Sequence, residues 1–163
     1  MPDIDQARFR KVLGHFPTGV TVVTGLDGGE PSGLTIGSFT SVSLDPPLVG
    51  FLAAKDSDSW PGIEPSGAFC VNVLGAEQGE LCWHFAKTGL GKFEGVPWHP
   101  SPLGSPILDG AIAWIDCRIE AVHEMGDHWF VLGRVVALDH VEDFEVHPLL
   151  FFRGSLGRFL AHS

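Results

Sequence analysis

The sequence lacks several features that mark membrane, secreted and nucleic-acid-binding proteins. It has no tyrosine and no apolar run near the ~20 residues that a membrane-spanning helix requires. Its N-terminus carries no basic and apolar signal pattern, and its three cysteines are an odd number without a CxxC pair, which disfavours a disulfide framework. Twenty acidic residues against ten basic ones give a net charge of −10, which opposes binding to a phosphate backbone. We therefore expect a cytoplasmic protein that binds neither membranes nor nucleic acids.

The composition indicates one globular domain over residues 1–163. Hydrophobic residues make up 44% of the chain and charged residues 18%, so a full core can form. Glycine (21) and proline (12) interrupt the chain too often for a helical bundle. No regular βαβ alternation is present, so we expect a mainly β fold, an antiparallel barrel with a few short helices at its flank. The patterns predict six or seven strands, the clearest at residues 19–24, 34–43, 48–53, 68–74, 115–121, 130–137 and 149–152. Turns are predicted at Asp27-Gly28-Gly29 and at Gly126-Asp127.

Two segments predict helices. The first begins after Asp3 or Asp5, either of which can cap it, and ends at Pro17. Its apolar residues recur at helical spacing and form one face: Phe9, Val12, Leu13 and Phe16. The second covers residues 77–86 and is expected to bury Leu81, Cys82 and Phe85.

Small hydroxyl side chains crowd the second predicted strand, residues 34–43. They are Thr35, Ser38, Thr40, Ser41 and Ser43. One interpretation is an edge strand that faces solvent. The other is a shelf of hydroxyls and backbone groups beside a flat polar ligand, whose ring Gly37 would allow to approach the main chain.

The segment that follows the third predicted strand suggests an anion site. Ser57, Ser59 and backbone N–H groups at a helical turn could cradle a phosphate, with Lys55 as the counter-charge. An ordinary turn with an N-capping serine explains the same pattern. The residues alone leave both interpretations open.

Patterns for metal and nucleotide sites are incomplete. His123 and His128 flank Glu124, but the two histidines are five residues apart and do not share a helix face as a zinc-protease motif requires. Cys82 and His84 could be ligands, yet the cysteine lies on an apolar helix stripe. Neither a phosphate-binding loop nor a dinucleotide-binding GxGxxG pattern is complete. We therefore expect no metal site. The alternative interpretation is a zinc hydrolase that uses His123, His128 and Glu124.

Six segments between about residue 8 and residue 158 form the most informative pattern. They are FPTGVTVVT (16–24), GLTIGSFTSVSLDPPLV (33–49), FCVNVL (69–74), KFEGVPW (92–98), GDH (126–128) with GRV (133–135), and PLLFFRG (148–154). Together and in this order they resemble the flavin reductase domain family, the small reductase components of two-component flavin monooxygenases. The resemblance implies a split β-barrel that works as a homodimer, with flavin near the subunit interface. It also implies hydride transfer from NADH or NADPH to FMN or FAD, and release of reduced flavin to a partner monooxygenase.

The same resemblance implies roles for particular residues. His128 of the Gly-Asp-His segment approaches and positions the nicotinamide. Phe85 and the loop at 87–95 close over the flavin. Leu156 stands where the family often has an aromatic residue, so this chain lacks stacking from that position. The residues implied to line the flavin ring and ribityl chain are Thr35, Ile36, Gly37, Ser38 and Ser41. Those implied at the phosphate end or the nucleotide are Lys55, Ser57, Ser59, Trp60, Arg153 and Gly154.

A second function from another class fits the same resemblance. A non-catalytic flavin-binding module of the same barrel fold, a carrier or storage protein, would need the flavin site but not the nicotinamide site. The sequence leaves FMN and FAD, and NADH and NADPH, as open alternatives. It also leaves open whether the flavin is a tight cofactor or a diffusible substrate, and which oxygenase is the partner.

Overall fold

The computed structural model describes residues 3–143 and 145–163 and is mainly β, as the sequence predicts. Two α-helices are present in these ranges, α1 (Gln6–Leu13) and α2 (Gly79–Ala86), with short 3₁₀ helices at Trp60–Gly62 and Glu64–Ser66. The strands are β1 (Thr18–Gly19), β2 (Thr21–Asp27), β3 (Glu30–Ile36), β4 (Thr40–Ser43), β5 (Leu48–Ala54), β6 (Ala68–Val73), β7 (Trp98–Pro100), β8 (Pro106–Leu108), β9 (Ala113–Met125), β10 (His128–His140), β11 (Leu149–Phe152) and β12 (Ser155–Arg158).

A seven-stranded antiparallel sheet carries the fold. Its strand order is β3-β2-β6-β9-β10-β5-β4, and two small sheets, β1-β11-β12 and β7-β8, lie outside it. The β2–β3 hairpin turns at Gly28 and Gly29, whose φ angles of 58° and 85° suit the two-residue turn that the sequence predicts. The long β9–β10 hairpin turns at Gly126 and Asp127, also as predicted.

The hydroxyl-rich segment is two strands rather than the single strand predicted over 34–43. β3 ends at Ile36 and β4 begins at Thr40, and these two strands are the opposite edges of the seven-stranded sheet. The break has a physical cause, because β3 pairs with β2 whereas β4 pairs with β5. Ser38 fixes the connection, since its Oγ accepts a 2.9 Å hydrogen bond from the N–H of Leu52 on β5.

Two apolar clusters form the core. Val22 and Val23 are adjacent on β2 and fully buried, yet they enter different clusters because successive side chains of a strand point to opposite faces. The first cluster contains an edge-to-face pair, Phe51 and Phe69, with ring centroids 5.0 Å apart. The second holds α2 against the sheet through Phe85, which is fully buried as predicted.

The first helix forms as predicted but buries none of its residues in this chain. Asp5 caps it, with its carboxylate accepting a 3.0 Å hydrogen bond from the N–H of Ala7. The apolar face predicted from helical spacing is more than half exposed at each position: Phe9, Val12, Leu13 and Phe16. None of the helices in the described ranges has the length and apolar character needed to cross a membrane.

Candidate functional site

A cleft of about 550 Å³ runs along β3 between α2 and the adjoining ends of β5 and β10. Seven of the thirteen residues predicted for the site line it: Thr35, Ile36, Gly37, Ser38, Ser57, Phe85 and His128. Its volume lies within the range of ordinary small-molecule sites. Further lining residues are Thr18, Gly19, Val20, Leu34, Leu52, Ala54, Asp56, Asp58, Cys82, Trp83, Ala86, Lys87, Thr88, Lys92 and Phe151.

The floor of the cleft is the second half of β3 with the residues that follow it. Thr35 donates its hydroxyl proton to the backbone carbonyl of Cys82 at 2.6 Å, which ties β3 to α2 and leaves the oxygen free to accept from a ligand. A Cβ at Gly37 would lie 3.2 Å from Oγ1 of Thr18, a tight contact that a small shift of the threonine would relieve. Gly37 lines the cleft without a side chain, so a flat ring can lie against the main chain there.

Aromatic side chains form one wall. Phe85 packs edge-to-face on Phe93 with ring centroids 5.0 Å apart and is fully buried beneath the cleft. Trp83 is half exposed and lies edge-on to Phe151 at 6.3 Å. The sequence analysis missed Trp83, although one signal was present. It follows Cys82 directly, so it lies about 100° around the helix from the buried stripe, where an apolar side chain must face something other than the core.

Polar groups gather at one end of the cleft. Ser57 Oγ accepts hydrogen bonds of 3.2 Å from the N–H groups of both Ser59 and Trp60, so it caps the first 3₁₀ helix. These bonds use the lone pairs of the hydroxyl, and its proton can donate to a ligand. Asp58 accepts a 2.8 Å bond from the N–H of Gly89, which holds the 87–92 loop against this turn.

Lys92 lies at the same end and joins three elements. Its ammonium donates to the carbonyl of Phe85 and to Oγ of Ser59, both at 3.0 Å, and to the carbonyl of Gly33 at 3.4 Å. Burial lowers the pKa of the Lys92 ammonium, and the negative charge of Asp58 partly opposes that shift. Lys92 belongs to the loop at 87–95 that the resemblance places over the flavin, but only the fold shows that its ammonium reaches Ser59.

His128 begins β10 at the mouth of the cleft and is opposite Ala54 of β5. Its Nδ1 lies 2.7 Å from the Asp127 carboxylate, and this hydrogen bond lowers the pKa of Asp127. A neutral imidazole that donates from Nδ1 keeps Nε2 as an acceptor. His128 can therefore receive a hydrogen bond from a ligand amide at Nε2.

Three predicted phosphate-end residues lie away from the cleft lining. Lys55 forms a 2.7 Å ion pair with Glu124, and its ammonium lies 4.9 Å from the ring centroid of Trp129. Ser59 and Trp60 are both buried, the serine beneath Lys92 and the tryptophan edge-to-face with Phe51. Of the predicted phosphate group, only Ser57 reaches the cleft.

Three further predicted residues also lie outside the cleft. Ser41 is exposed on the edge strand β4, where it is opposite Val49. Arg153 and Gly154 form the exposed turn between β11 and β12, with φ angles of 52° and 79°. The N–H of Arg153 donates to the carbonyl of Gly14, so this turn lies beside α1.

The zinc alternative requires groups that the fold separates. His123 is opposite Phe130 and His128 is opposite Met125, so both histidines point to one face of the β9–β10 hairpin. Glu124 points to the other face, where it pairs with Lys55. Within residues 3–143 and 145–163, no group of three histidine, cysteine, aspartate or glutamate side chains is close enough to hold a metal ion.

Comparison with known proteins agrees with this geometry. Residues 13–159 match the family model described as the flavin reductase like domain. The chain is 53% identical over 151 residues to the reductase subunit of a flavin-dependent monooxygenase from Rhodococcus jostii, covering 93% of this chain and 76% of that protein. It is 52% identical over 159 residues to a flavin reductase from Pseudomonas putida, covering 97% and 92%.

A solved structure has the same fold. The NADH:FAD oxidoreductase from Streptomyces globisporus, solved in complex with NAD and FAD fragments, superposes with a TM-score of 0.89 at 37% identity, covering 98% of each chain. The family match covers most of this chain, and both relatives exceed half identity over nearly its whole length. This chain therefore belongs to the flavin reductase like domain family.

Proposed function

We propose that this chain is an NAD(P)H:flavin oxidoreductase that transfers hydride from a nicotinamide cofactor to FMN or FAD. The observation that carries the proposal is the cleft along β3, with apolar and aromatic walls, a glycine floor and a polar end that bears lysine and serine. Relatives named as flavin reductases, which match nearly the whole chain, support the same function.

The lining fits a flavin. Leu52 and Ala54 of β5 and the half-exposed Trp83 of α2 offer apolar surface to a planar ring, and Gly37 presents main chain without a side chain to the cleft. The phosphate of a flavin nucleotide needs hydrogen-bond donors and a positive charge. Both are present at the end of the cleft that holds Ser57 and Lys92. A ligand that is flat at one end and anionic at the other matches both halves of the cleft.

In this proposal the chain acts by positioning. When bound, flavin supplies the hydride acceptor at N5, so no protein acid, base or nucleophile is needed at the reacting atoms. Thr35, Ile36, Gly37 and Ser38 hold one ring face along β3, and Phe85 supports the wall behind it. His128 accepts from the nicotinamide carboxamide through Nε2 and so orients the donor ring. Ser57 donates its hydroxyl proton at the phosphate end.

Closure of the main sheet into a split barrel is part of the proposal. Its edge strands β3 and β4 are six strand spacings apart, about 29 Å in a flat sheet. Ile36 and Thr40, at the ends of these strands, are joined by only three residues, which span at most about 14 Å. The sheet must therefore curl until its two edge strands come close to each other. The first core cluster agrees with this curvature, because it contains side chains of both β3 and β5.

A homodimer is also proposed. The apolar residues Phe9, Val12, Leu13 and Phe16 are each more than half exposed on one side of α1, and a contiguous exposed apolar surface of this kind is typical of an interface that a second copy would cover. Arg153 and Gly154, whose turn adjoins α1 at Gly14, would then lie near the partner and contribute to nucleotide binding from there. Sedimentation velocity at several concentrations tests the dimer, and a monomer at micromolar concentration would contradict it.

A partner monooxygenase completes the proposal. The Rhodococcus jostii relative is named as a reductase subunit of such an enzyme, and released reduced flavin is the product that an oxygenase would consume. A single domain over residues 1–163 and a cytosolic location stay predictions. The location is consistent with three cysteines that are all buried and free.

Steady-state kinetics tests the function. Purified protein with NADH or NADPH and an excess of FMN or FAD should consume the reduced nicotinamide, measured by its absorbance. Comparison of the four pairs gives the preference for each cofactor. Flavin binding without turnover of either dinucleotide would contradict the reductase and favour the non-catalytic flavin-binding module.

A further inference from the structure

Lys92 is a partly buried cation that is bound only by neutral groups. Its ammonium has three hydrogen-bond acceptors, and all are uncharged: the carbonyls of Gly33 and Phe85 and the hydroxyl of Ser59. The carbonyl of Phe85 is at the C-terminal end of α2, where the helix dipole favours a positive charge. The site thus holds a fixed positive charge that no hydrogen-bonded carboxylate neutralises.

The cation is held at an energetic disadvantage. Removal of an ammonium from water costs free energy unless an anion compensates, and the lowered pKa of Lys92 expresses that cost. Asp58, the carboxylate that acts on it through space, already accepts a hydrogen bond from the N–H of Gly89. An incoming anion would provide the missing compensation.

The position of Lys92 is suited to a ligand anion. It lines the cleft and also a side cavity of about 430 Å³ formed by residues 30–33, Ser59 and 89–94. Ser57, whose hydroxyl proton is free to donate, lies at the same end of the cleft. Asp56 and Asp58 line this end too, so an anion would be repelled there without a compensating cation.

Lys55, the lysine next to the serine turn in sequence, is differently engaged. Its ammonium is bound to Glu124 at 2.7 Å and covers the ring of Trp129, and it does not line the cleft. A carboxylate already neutralises it. To reach a phosphate beside Ser57, Lys55 would have to leave this pair.

We propose that Lys92, rather than Lys55, is the counter-charge for the flavin phosphate. This inference rests on the proposed function, because it assigns a residue within the flavin site. The phosphate oxygen replaces the carbonyl of Gly33, the most distant of the three acceptors, while the bonds to Ser59 and Phe85 keep the ammonium in place. Ser57 donates to a second phosphate oxygen.

The test compares FMN with riboflavin, which has the same ring and ribityl chain but no phosphate. Dissociation constants for both are measured by flavin fluorescence on the wild type, Lys92→Met, Lys55→Met and Lys87→Met. We expect the wild type to prefer FMN and Lys92→Met to lose about tenfold or more of that preference, with riboflavin affinity unchanged within about twofold. Lys55→Met and Lys87→Met should keep the preference. Circular dichroism checks folding, and Lys92→Gln, whose amide can still donate to Ser59 and Phe85, repeats the test if Lys92→Met does not fold.

Each other outcome overturns the assignment in a distinct way. An intact FMN preference in the Lys92 variants would exclude a phosphate contact, and its loss in Lys55→Met or Lys87→Met would assign the charge to that lysine. Equal weakening of FMN and riboflavin would make Lys92 a structural clamp only. If the wild type binds neither FMN nor riboflavin, the proposed function itself is wrong. That result is distinct from a change in the ratio of the riboflavin and FMN dissociation constants, which tests only the role of Lys92.

Discussion

Thr35 and Cys82 are joined by a 2.6 Å hydrogen bond from the threonine hydroxyl to the cysteine carbonyl, 47 residues apart in sequence. This bond links the floor of the cleft, β3, to the helix that forms its aromatic wall. The spacing between floor and wall, and therefore the width of the cleft, depends on such contacts between the strand and α2.

Thr35→Val should weaken both stability and flavin binding. Valine keeps the shape but removes the donor, so the free energy of unfolding should fall by about 1 kcal/mol. Flavin affinity should fall as well, because α2 is no longer fixed to the strand. Urea unfolding and flavin titration measure the two effects. Thr40→Val, at an exposed position on β4, is the control, and an equal loss in that variant would contradict the argument.

Gly133→Ala should destabilise the fold through a steric contact. A Cβ at Gly133 would lie 2.4 Å from the ring of Phe69, which is fully buried and edge-to-face with Phe51, so it cannot move aside. Overpacking of this kind costs about 1–3 kcal/mol. Gly157→Ala, where a Cβ meets nothing within 4 Å, is the matched control. A similar unfolding midpoint for Gly133→Ala and wild type would show that β10 shifts freely.

Asp116 should make the protein less stable as pH rises. The side chain is fully buried, one carboxylate oxygen accepts from the N–H of Leu103 at 2.9 Å, and the burial raises its pKa. An acid whose pKa is higher in the folded than in the unfolded chain stabilises the fold below its unfolded pKa. That contribution is lost as pH rises through the folded pKa.

The variant Asp116→Asn isolates this effect. Its free energy of unfolding relative to wild type should shift in favour of the variant as pH rises above about 4, the ordinary pKa of an aspartate, because the amide carries no charge. Urea unfolding at several pH values measures the difference. Asp3→Asn, at an exposed position, is the control for the loss of one carboxylate from the chain. A flat difference for Asp116→Asn would refute the assignment.

His128→Ala should raise the KM for the nicotinamide substrate several-fold and leave the flavin dissociation constant near its wild-type value. The reason is that Nε2 orients the donor ring, while the flavin is held elsewhere in the cleft. Stopped-flow measurement of flavin reduction separates binding from hydride transfer. His123→Ala is the control, because His123 lies on the same face of the hairpin, two residues further from the turn than Met125, the residue opposite His128. Unchanged kinetics in His128→Ala would make this histidine a hairpin residue only.

Local patterns in the sequence predict the elements well, and long-range contacts limit the rest. The cap at Asp5, the hairpin turn at Gly28 and the burial of Phe85 follow from neighbouring residues, and all are present. The division of residues 34–43 into two edge strands depends on pairing with β2 and β5, which sequence proximity does not reveal.

The phosphate end illustrates the same limit. Lys55 is two residues from Ser57, so proximity in sequence favoured it, yet its partner Glu124 is 69 residues away. Lys92 is 33 residues from Ser59 and meets it only because α2 and the following loop fold back over β3. A short segment of sequence predicts the hydroxyl of Ser57 at this end of the cleft, whereas the position of the Lys92 ammonium beside Ser59 depends on tertiary structure.

Trp83→Ala should weaken ligand binding at the aromatic wall. Half of this side chain is exposed at the cleft while its edge contacts Phe151, so a planar ligand ring can cover the free face. Aromatic contacts of this kind contribute about 0.5–1.5 kcal/mol, which corresponds to a several-fold loss in affinity for flavin or dinucleotide. Trp83→Phe keeps an aromatic ring and should recover most of the affinity. Titrations with FMN and with NAD⁺ show which ligand the ring contacts, and unchanged dissociation constants for both would exclude Trp83 from the ligand contacts.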